Sequence, residues 1–314
     1  MSRYRDALPQ LSGASYLTDA GIETDLMFNH GIEIREFAAH TLLEDDAGRA
    51  AVADYLRGYL ELAGNLNTGL VLDSQTWKAH MHWAADLAAT ESELKAANED
   101  AIQLISTLRD EFSSNTNPIV LNAVIGPRGD AYAPEVDVAV EEAVEYHAQQ
   151  LGWLANTEAD MVTALTFTQA SEAAGAVIAA TGVGLPIVVS FTVETDGNLP
   201  GGQALGDAIE QVDVLTDSAA VYFMINCAHP EHFSHILEDT QWMKRIRGIR
   251  CNASRKSHAE LDESETLDDG NPMELARQYQ DIKTRMPWIN VYGACCGADL
   301  RHVAAIADAV LPGR

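Results

Sequence analysis

Basic side chains and long apolar runs are scarce in this sequence. Only 20 lysines and arginines stand against 47 aspartates and glutamates, which gives a formal net charge of −27. A surface of that sign repels phosphate backbones, so nucleic acid is not an expected partner. No apolar stretch approaches the roughly 20 residues that cross a bilayer, and the N-terminus has no apolar signal core. These absences predict a cytoplasmic protein without a membrane partner.

Cysteine is also scarce, with four residues in a chain of 314. That number is too small for a disulfide framework, and in a reducing compartment clustered cysteines more often bind metal or do chemistry. Two of the four are adjacent, Cys295 and Cys296, between Gly293 and Gly297. Neighbouring side chains on a strand point to opposite faces, so both thiols can approach one point only where the backbone turns, and glycine permits such a turn.

Short apolar runs alternate with longer helical stretches along the whole chain. Continuous apolar runs are typical of parallel strands buried on both faces, and eight strand–helix units predict a single (β/α)8 TIM barrel over residues 1–314. A doubly wound open sheet is the alternative. The eight runs are Tyr16–Asp19, Gly69–Asp73, Pro118–Ile125, Asp160–Thr166, Pro186–Thr192, Ala220–Asn226, Gly248–Asn252 and Ile289–Tyr292.

The stretches between these runs have helical periodicity or helix-start signals. Predicted helices are 47–63, 91–112, 135–156 with Pro134 near its start, 171–181, 203–216, 230–243, 272–285 and 300–310.

Three thiols are expected on one rim of this barrel. Cys227 closes the sixth run, and Cys295 and Cys296 follow the eighth. Active sites of such barrels lie at the C-terminal ends of the strands. Thiolates suit zinc, and three of them leave a fourth tetrahedral position open. A substrate thiol in that position would become a thiolate and attack an electrophilic carbon. For each cysteine alone, the alternative is a buried small hydrophobe.

The sequence resembles the homocysteine S-methyltransferase family of zinc-dependent barrels, which includes betaine- and S-methylmethionine-dependent enzymes. The resemblance implies zinc bound by Cys227, Cys295 and Cys296. It also implies a role in methionine biosynthesis and makes Asp19 and Asn226 the substrate-binding candidates. The segments that carry it are Thr18–Asp25, Ser190–Thr192, Asp196–Pro200, Ile225–Pro230 and Gly293–Gly297.

The sequence departs from the family pattern at two positions. Ala20 replaces the first glycine of the Asp-Gly-Gly motif, which is a mild change. On the fourth strand the family carries a Glu that contacts the amino group of homocysteine, and a second Glu seven residues later. Glu172 matches the later position, so Leu165 falls on the first. A leucine side chain cannot accept a hydrogen bond from that amino group. The expected acceptor is therefore widened from homocysteine alone to homocysteine or a related thiol.

Other acidic and thiol side chains near the expected rim are weaker candidates. Glu23 and Asp25 follow the first strand closely and could serve in place of Asp19. Cys251 ends the seventh strand, either as a spare ligand or as a packed strand cysteine.

Aromatic and imidazole side chains follow the second strand. His80 and His82 have the spacing of a metal-binding pair on a strand, but they do not lie on an apolar run. Trp77 and Trp83 either pack against the barrel or line the pocket mouth, where a sulfonium or ammonium donor can lie over an aromatic face.

Together these patterns predict a zinc-dependent S-methyltransferase. It would move a methyl group from a small methyl-onium donor to a thiol acceptor, with possible homo-oligomers. No module for cobalamin or folate is apparent, so the donor should be a free small molecule. The alternatives are a zinc hydrolase on the same barrel and a non-catalytic zinc or thiol-redox protein in which adjacent Cys295 and Cys296 form a disulfide.

Overall fold

The computed structural model describes residues 2–112, 117–129, 131, 138–264 and 266–311. Within them, eight parallel strands close into a barrel in sequence order. The predicted (β/α)8 barrel is confirmed, and the doubly wound open sheet is wrong. Each strand overlaps one of the eight apolar runs: β1 Tyr16–Leu17, β2 Gly69–Asp73, β3 Ile119–Ile125, β4 Met161–Phe167, β5 Ile187–Phe191, β6 Phe223–Asn226, β7 Ile246–Cys251 and β8 Val291–Ala294.

The helices surround this barrel. They are α1 Ile22–Thr24, α2 Asp46–Leu66, α3 Glu91–Glu111, α4 Val140–Ala155, α5 Ala170–Gly182, α6 Leu205–Thr216, α7 Pro230–Phe233, α8 His258–Asp262, α9 Pro272–Arg285 and α10 Leu300–Val310. The predicted start of the third helical stretch, at Pro134 and Glu135, lies outside the described residues. None of the described helices combines the length and the apolar character that a membrane span requires.

The helix predicted over 230–243 is wrong in its extent. α7 ends at Phe233, and only 3-10 turns follow. The Ser234 hydroxyl donates to the Pro230 carbonyl at 2.5 Å. From α9, Arg285 donates to the Ser234 carbonyl at 2.8 Å and to the Leu237 carbonyl. These side chains satisfy carbonyls that a continued helix would have used.

The interior of the barrel is divided into an apolar and a polar layer. Tyr16, Val71, Val120, Met161, Val188, Tyr222, Met224 and Val291 belong to one buried apolar cluster. Two residues further along their strands stand Asp73, Asn122 and Thr163, all buried. Because side chains on a strand alternate between faces, the same faces become polar toward the C-terminal rim.

Gly248 on β7 makes room for this change of layer. A Cβ at this position would lie 2.6 Å from the Met224 methyl carbon, so a side chain there would require Met224 to move. Two residues later on the same strand, Arg250 is buried among the polar side chains.

Candidate metal centre at the barrel mouth

The three thiols expected on one rim lie together at the barrel mouth. Cys227 directly follows β6, while Cys295 and Cys296 directly follow β8. Their sulfurs all lie within 4.8 Å of one another, and 4.0 Å separates the Sγ atoms of Cys227 and Cys296. Parallel strands far apart in sequence therefore bring one set of soft donor atoms to a single point. This donor set is chemically suited to zinc.

Cys227 and Cys295 are joined as a disulfide, and their Cα atoms are 5.4 Å apart. This is not the adjacent pair that the sequence suggested for a redox protein. Side chains of neighbouring residues diverge, whereas two strand ends at this separation match ordinary disulfide spacing. Metal binding needs the thiolates, so it requires the reduced form of this pair.

Several hydrogen bonds hold the backbone of Cys227 in a left-handed conformation, with φ of 53°. Its N–H donates to the Arg250 carbonyl at 3.0 Å. Its carbonyl accepts from Asn252 Nδ2 at 2.9 Å and from His258 Nε2 at 2.7 Å. A non-glycine residue in this conformation is strained, and these bonds fix the direction in which the thiol points.

The turn that carries the other two thiols depends on glycine, as expected. Gly297 has φ of 78°, and a Cβ there would lie 2.7 Å from the Asp268 carbonyl oxygen. The Gly297 N–H donates to Thr24 Oγ1 at 3.1 Å, and the Cys295 N–H donates to the Cys251 carbonyl at 2.9 Å. The turn is therefore anchored to α1 on one side and to β7 on the other.

Asn226 is fully buried, and its amide is occupied by the protein itself. Its oxygen accepts from the Thr166 N–H at 3.0 Å and from Ser190 Oγ at 2.6 Å. Its nitrogen donates to Thr166 Oγ1 at 2.7 Å. Thr166 also has a positive φ, 63°. This geometry gives Asn226 a positioning role beside Cys227; its substrate-binding role stays a prediction.

Replacing Asn226 with alanine should affect both stability and the thiol cluster. Thr166 and Ser190 would lose their buried acceptor, which costs about 2–4 kcal/mol of unfolding free energy. Because Asn226 directly precedes Cys227, zinc affinity should also fall roughly 10-fold. Urea unfolding and competition with a zinc chelator measure the two effects. The control is Asn156→Ala at the exposed end of α4. Unchanged zinc affinity in Asn226→Ala would show that the amide does not position Cys227.

A buried ion triad lies next to the cysteines, and sequence reasoning missed two of its members. Arg250 on β7 binds Asp19 through one guanidinium nitrogen and Asp73 through another. Asn122 Nδ2 donates to the second oxygen of Asp73 at 2.7 Å. The available signal was a lone charged residue within or at the end of an apolar run, since arginine and aspartate are rarely buried without partners.

Burial and charge act in opposite directions in this triad. Burial raises the pKa of Asp19, and the Arg250 guanidinium opposes that rise. Burial disfavours the charge on Arg250, but Asp73 and Asp19 outweigh it and raise the pKa of the guanidinium. The arginine is therefore held as a cation between two carboxylates. Asp19 lies where the sequence placed it, on the rim, with one oxygen bound to Arg250.

Two cavities meet at Cys296. The inner cavity, about 70 Å³, is lined by Asp19, Glu23, Asp73, Leu165, Arg250 and the three cysteines. The outer cavity, about 410 Å³, is lined by Met27, Phe28, Trp77, Trp83, His258 and Cys296, among others. Cys296 and Trp77 belong to both walls. A molecule in either cavity can therefore approach the thiol cluster.

Both tryptophans line the mouth, but one aromatic face is already covered. The Lys78 ammonium lies 3.9 Å from the centroid of the Trp83 ring. The indole N–H of Trp77 donates to the Leu165 carbonyl at 2.9 Å. Trp77 therefore joins the β4 wall of the inner cavity to the outer cavity.

Of the remaining acidic and thiol candidates, Glu23 lines the inner cavity, whereas Asp25 and Cys251 line neither of these two cavities. Asp25 is buried, and its carboxylate accepts from Asn29 at 2.8 Å. Cys251 is fully buried in the core, and burial raises the pKa of its thiol to about 12. Glu172 is buried as well, and it accepts from the Arg128 N–H at 2.5 Å.

His80 and His82, which have the spacing of a metal-binding pair, do not form a metal site with the other described residues. Their ring centroids are 6.4 Å apart, and neither belongs to the group of possible metal ligands found there. His80 is hydrogen-bonded to the Tyr146 hydroxyl instead.

Comparisons with known proteins agree with this architecture. The model of the homocysteine S-methyltransferase family matches residues 16–310. The oxidized form of the homocysteine methyltransferase MmuM from Escherichia coli is similar, with a TM-score of 0.72 and 17% identity over 98% of this chain and 99% of that one. The metallated form of the same protein has a TM-score of 0.71 and 16% identity, over 96% of this chain and 99% of that one. The apo form has a TM-score of 0.63 and 15% identity, over 94% of this chain and 96% of that one. At these identities, the structural likeness shows the fold.

Proposed function

Because the chain belongs to the homocysteine S-methyltransferase family, we propose that it transfers a methyl group from a small methyl-onium donor to a thiol acceptor. The observation that carries the proposal is the convergence of Cys227, Cys295 and Cys296 within 4.8 Å at the barrel mouth. Three cysteine sulfurs beside two cavities suit an enzyme that activates a substrate thiol, because zinc held by their reduced thiolates would have a fourth coordination position for it.

Zinc is the proposed cofactor, and Cys227, Cys295 and Cys296 are its proposed ligands. The all-sulfur donor set favours zinc over the hard cations magnesium and calcium, which take oxygen ligands. When bound, the ion lowers the pKa of an acceptor thiol so that it is a thiolate near neutral pH.

The chain's own residues orient the two substrates for the transfer. The acceptor thiol gives its proton to solvent, and its sulfur forms a bond to the donor's methyl carbon. The bond from that carbon to the donor's onium atom breaks, and the donor leaves with the electron pair as a neutral thioether or amine. The apolar wall of the outer cavity, with Phe28 and Trp77, would exclude water from the methyl group.

Within this proposal the donor is of the S-methylmethionine or betaine type, and the acceptor is homocysteine or a related thiol. Asp19 is proposed to orient the acceptor at the inner cavity. One barrel domain over residues 1–314, a cytoplasmic location and a place in methionine biosynthesis remain predictions.

Metal content and turnover test the proposal together. Reduced protein should hold one zinc per chain, and chelation should abolish methyl transfer from S-methylmethionine or betaine to homocysteine until zinc is restored. Mass spectrometry of the thioether product and metal analysis give the two readouts. Reduced protein that binds no zinc but cycles reversibly between dithiol and disulfide would instead identify a thiol-redox protein. A zinc-loaded protein that methylates no thiol would contradict the transferase.

A further inference from the structure

Among the described residues, three carboxylates and one guanidinium face the inner cavity. Two of the carboxylates, Asp19 and Asp73, are bound to Arg250. Asp73 also accepts a hydrogen bond from Asn122 at 2.7 Å. The guanidinium of Arg250 is therefore shared between two partners, and the charge of Asp19 is partly neutralised.

Glu23 is the third carboxylate, and its situation differs. Among the described residues, no other residue forms a hydrogen bond or an ion pair with its side chain. Burial raises the pKa of Glu23, and the more distant charges of Lys78 and Arg250 oppose that rise. Glu23 is half-buried, and a carboxylate that is partly removed from water without a bonded counter-charge is destabilised. A cation in the inner cavity would relieve that cost.

The position of Glu23 relative to the thiols is fixed by close packing. It lies on α1, two residues after Gly21. A Cβ on Gly21 would lie 2.8 Å from the Cys295 carbonyl oxygen, so the two backbones are in direct contact. Thr24, the last residue of α1, accepts a hydrogen bond from the Gly297 N–H through its hydroxyl. The short helix is thus anchored at both of its ends to the turn that carries Cys295 and Cys296.

The β4 wall of the inner cavity offers no competing anion. Leu165 lines it there, and the Leu165 carbonyl is occupied by the indole of Trp77. The inner cavity has about one sixth of the outer cavity's volume, so it suits a compact ammonium better than a methylated onium. A cation that enters the inner cavity therefore meets one carboxylate without a bonded partner among the described residues, that of Glu23 on α1.

We propose that Glu23 binds the ammonium group of an amino-acid thiol whose sulfur reaches the cysteine cluster. The inference rests on the proposed function for the role of that thiol as acceptor, and it makes Glu23 a specificity-determining residue. Leu165 occupies the β4 wall of the inner cavity, and Glu23 supplies a carboxylate to the same cavity from α1. The chain would then keep an amino-acid acceptor despite its leucine.

The test compares two thiols that differ only in the amino group, homocysteine and 4-mercaptobutanoate. Binding of each to reduced, zinc-loaded protein is measured by calorimetry without a donor. Wild type should prefer homocysteine, and Glu23→Gln should weaken homocysteine binding roughly 10- to 100-fold, as expected for a lost charged hydrogen bond. Binding of 4-mercaptobutanoate should stay unchanged. Asp25→Asn removes a neighbouring charge outside both cavities and should behave as wild type.

The possible failures are distinguishable. If wild type binds both thiols and Glu23→Gln discriminates between them as wild type does, the role of Glu23 is wrong while the proposed function stands. In a turnover assay, a Glu23→Gln variant in which only the KM for the donor rises would also contradict the inference. Glu23 would then bind the onium group of the donor. If wild type binds neither thiol, the acceptor proposal and this inference fall together. In zinc-free reduced protein, Glu23→Gln should still bind homocysteine more weakly than wild type does, since the ammonium contact does not need the metal.

Discussion

Cys296→Ala should lose its bound zinc and its methyl transfer together while the barrel stays folded. Cys296 is half-buried, and its thiol lies at the junction of the inner and outer cavities. Its removal leaves two thiols, which should lower zinc affinity by at least about 100-fold, since loss of a direct ligand exceeds the effect of an outer partner. Metal analysis after gel filtration, product formation and far-ultraviolet circular dichroism measure the three quantities.

The fourth cysteine supplies a matched control for this prediction. Cys251→Ala removes a thiol from the end of β7, one strand away from the cluster, where the side chain packs in the core. It should keep one zinc per chain and its turnover, and lose about 1 kcal/mol of unfolding free energy to the small cavity that it leaves. Full zinc occupancy in Cys296→Ala, with loss in Cys251→Ala, would mean that the metal lies elsewhere.

The thiol cluster could be predicted because its signal is local. Cys227 directly follows the sixth apolar run, and Cys295 and Cys296 come shortly after the eighth. Parallel strands of one barrel bring their C-terminal ends to one rim. The barrel itself followed from the same alternation of runs and helices. Neither inference needed to know which strands are neighbours or how their registers align.

The ion triad could not be predicted, because its signal is spread over the chain. Arg250 lies 231 residues from Asp19 and 177 from Asp73. Their contact needs the closure of β8 onto β1 and the register of β7, which pairs Arg250 with Gly293 of β8. Sequence shows only charged residues at the ends of apolar runs, which could equally be solvated. For the same reason the free carboxylate of Glu23 was recognisable only once Asp19 and Asp73 had been seen to share one arginine.

Arg250→Met should be the most destabilising single change in the barrel interior. Methionine fills a similar length with an apolar side chain, but Asp19 and Asp73 are left buried without their cation. Removal of one partner from a buried ion pair costs about 3–5 kcal/mol of unfolding free energy. Urea unfolding measures the loss. A cost below about 1 kcal/mol would show that water or other groups already neutralise the two carboxylates.

The pH dependence of that loss identifies its cause. Without Arg250, its guanidinium no longer opposes the rise that burial imposes on the pKa of Asp19, so folding favours the protonated form of that carboxyl. Stability from such groups is present below their unfolded pKa, near 4, and is lost as the pH rises through the folded value. The deficit of Arg250→Met should therefore be smaller at about pH 5 than at about pH 8. The double variant Arg250→Met with Asp73→Asn should recover part of it.

Arg250 also connects the charge network to the thiols, so its loss should reach the metal site. Its Nε donates to the Ala294 carbonyl at 3.2 Å, directly before Cys295. Its own carbonyl accepts from the Cys227 N–H at 3.0 Å. Arg250→Lys keeps the charge, but a single ammonium cannot span two carboxylates and a carbonyl. It should retain more stability than Arg250→Met and still bind zinc more weakly than wild type. Equal zinc affinity in all three proteins would show that the guanidinium stabilises the barrel without positioning its cysteines.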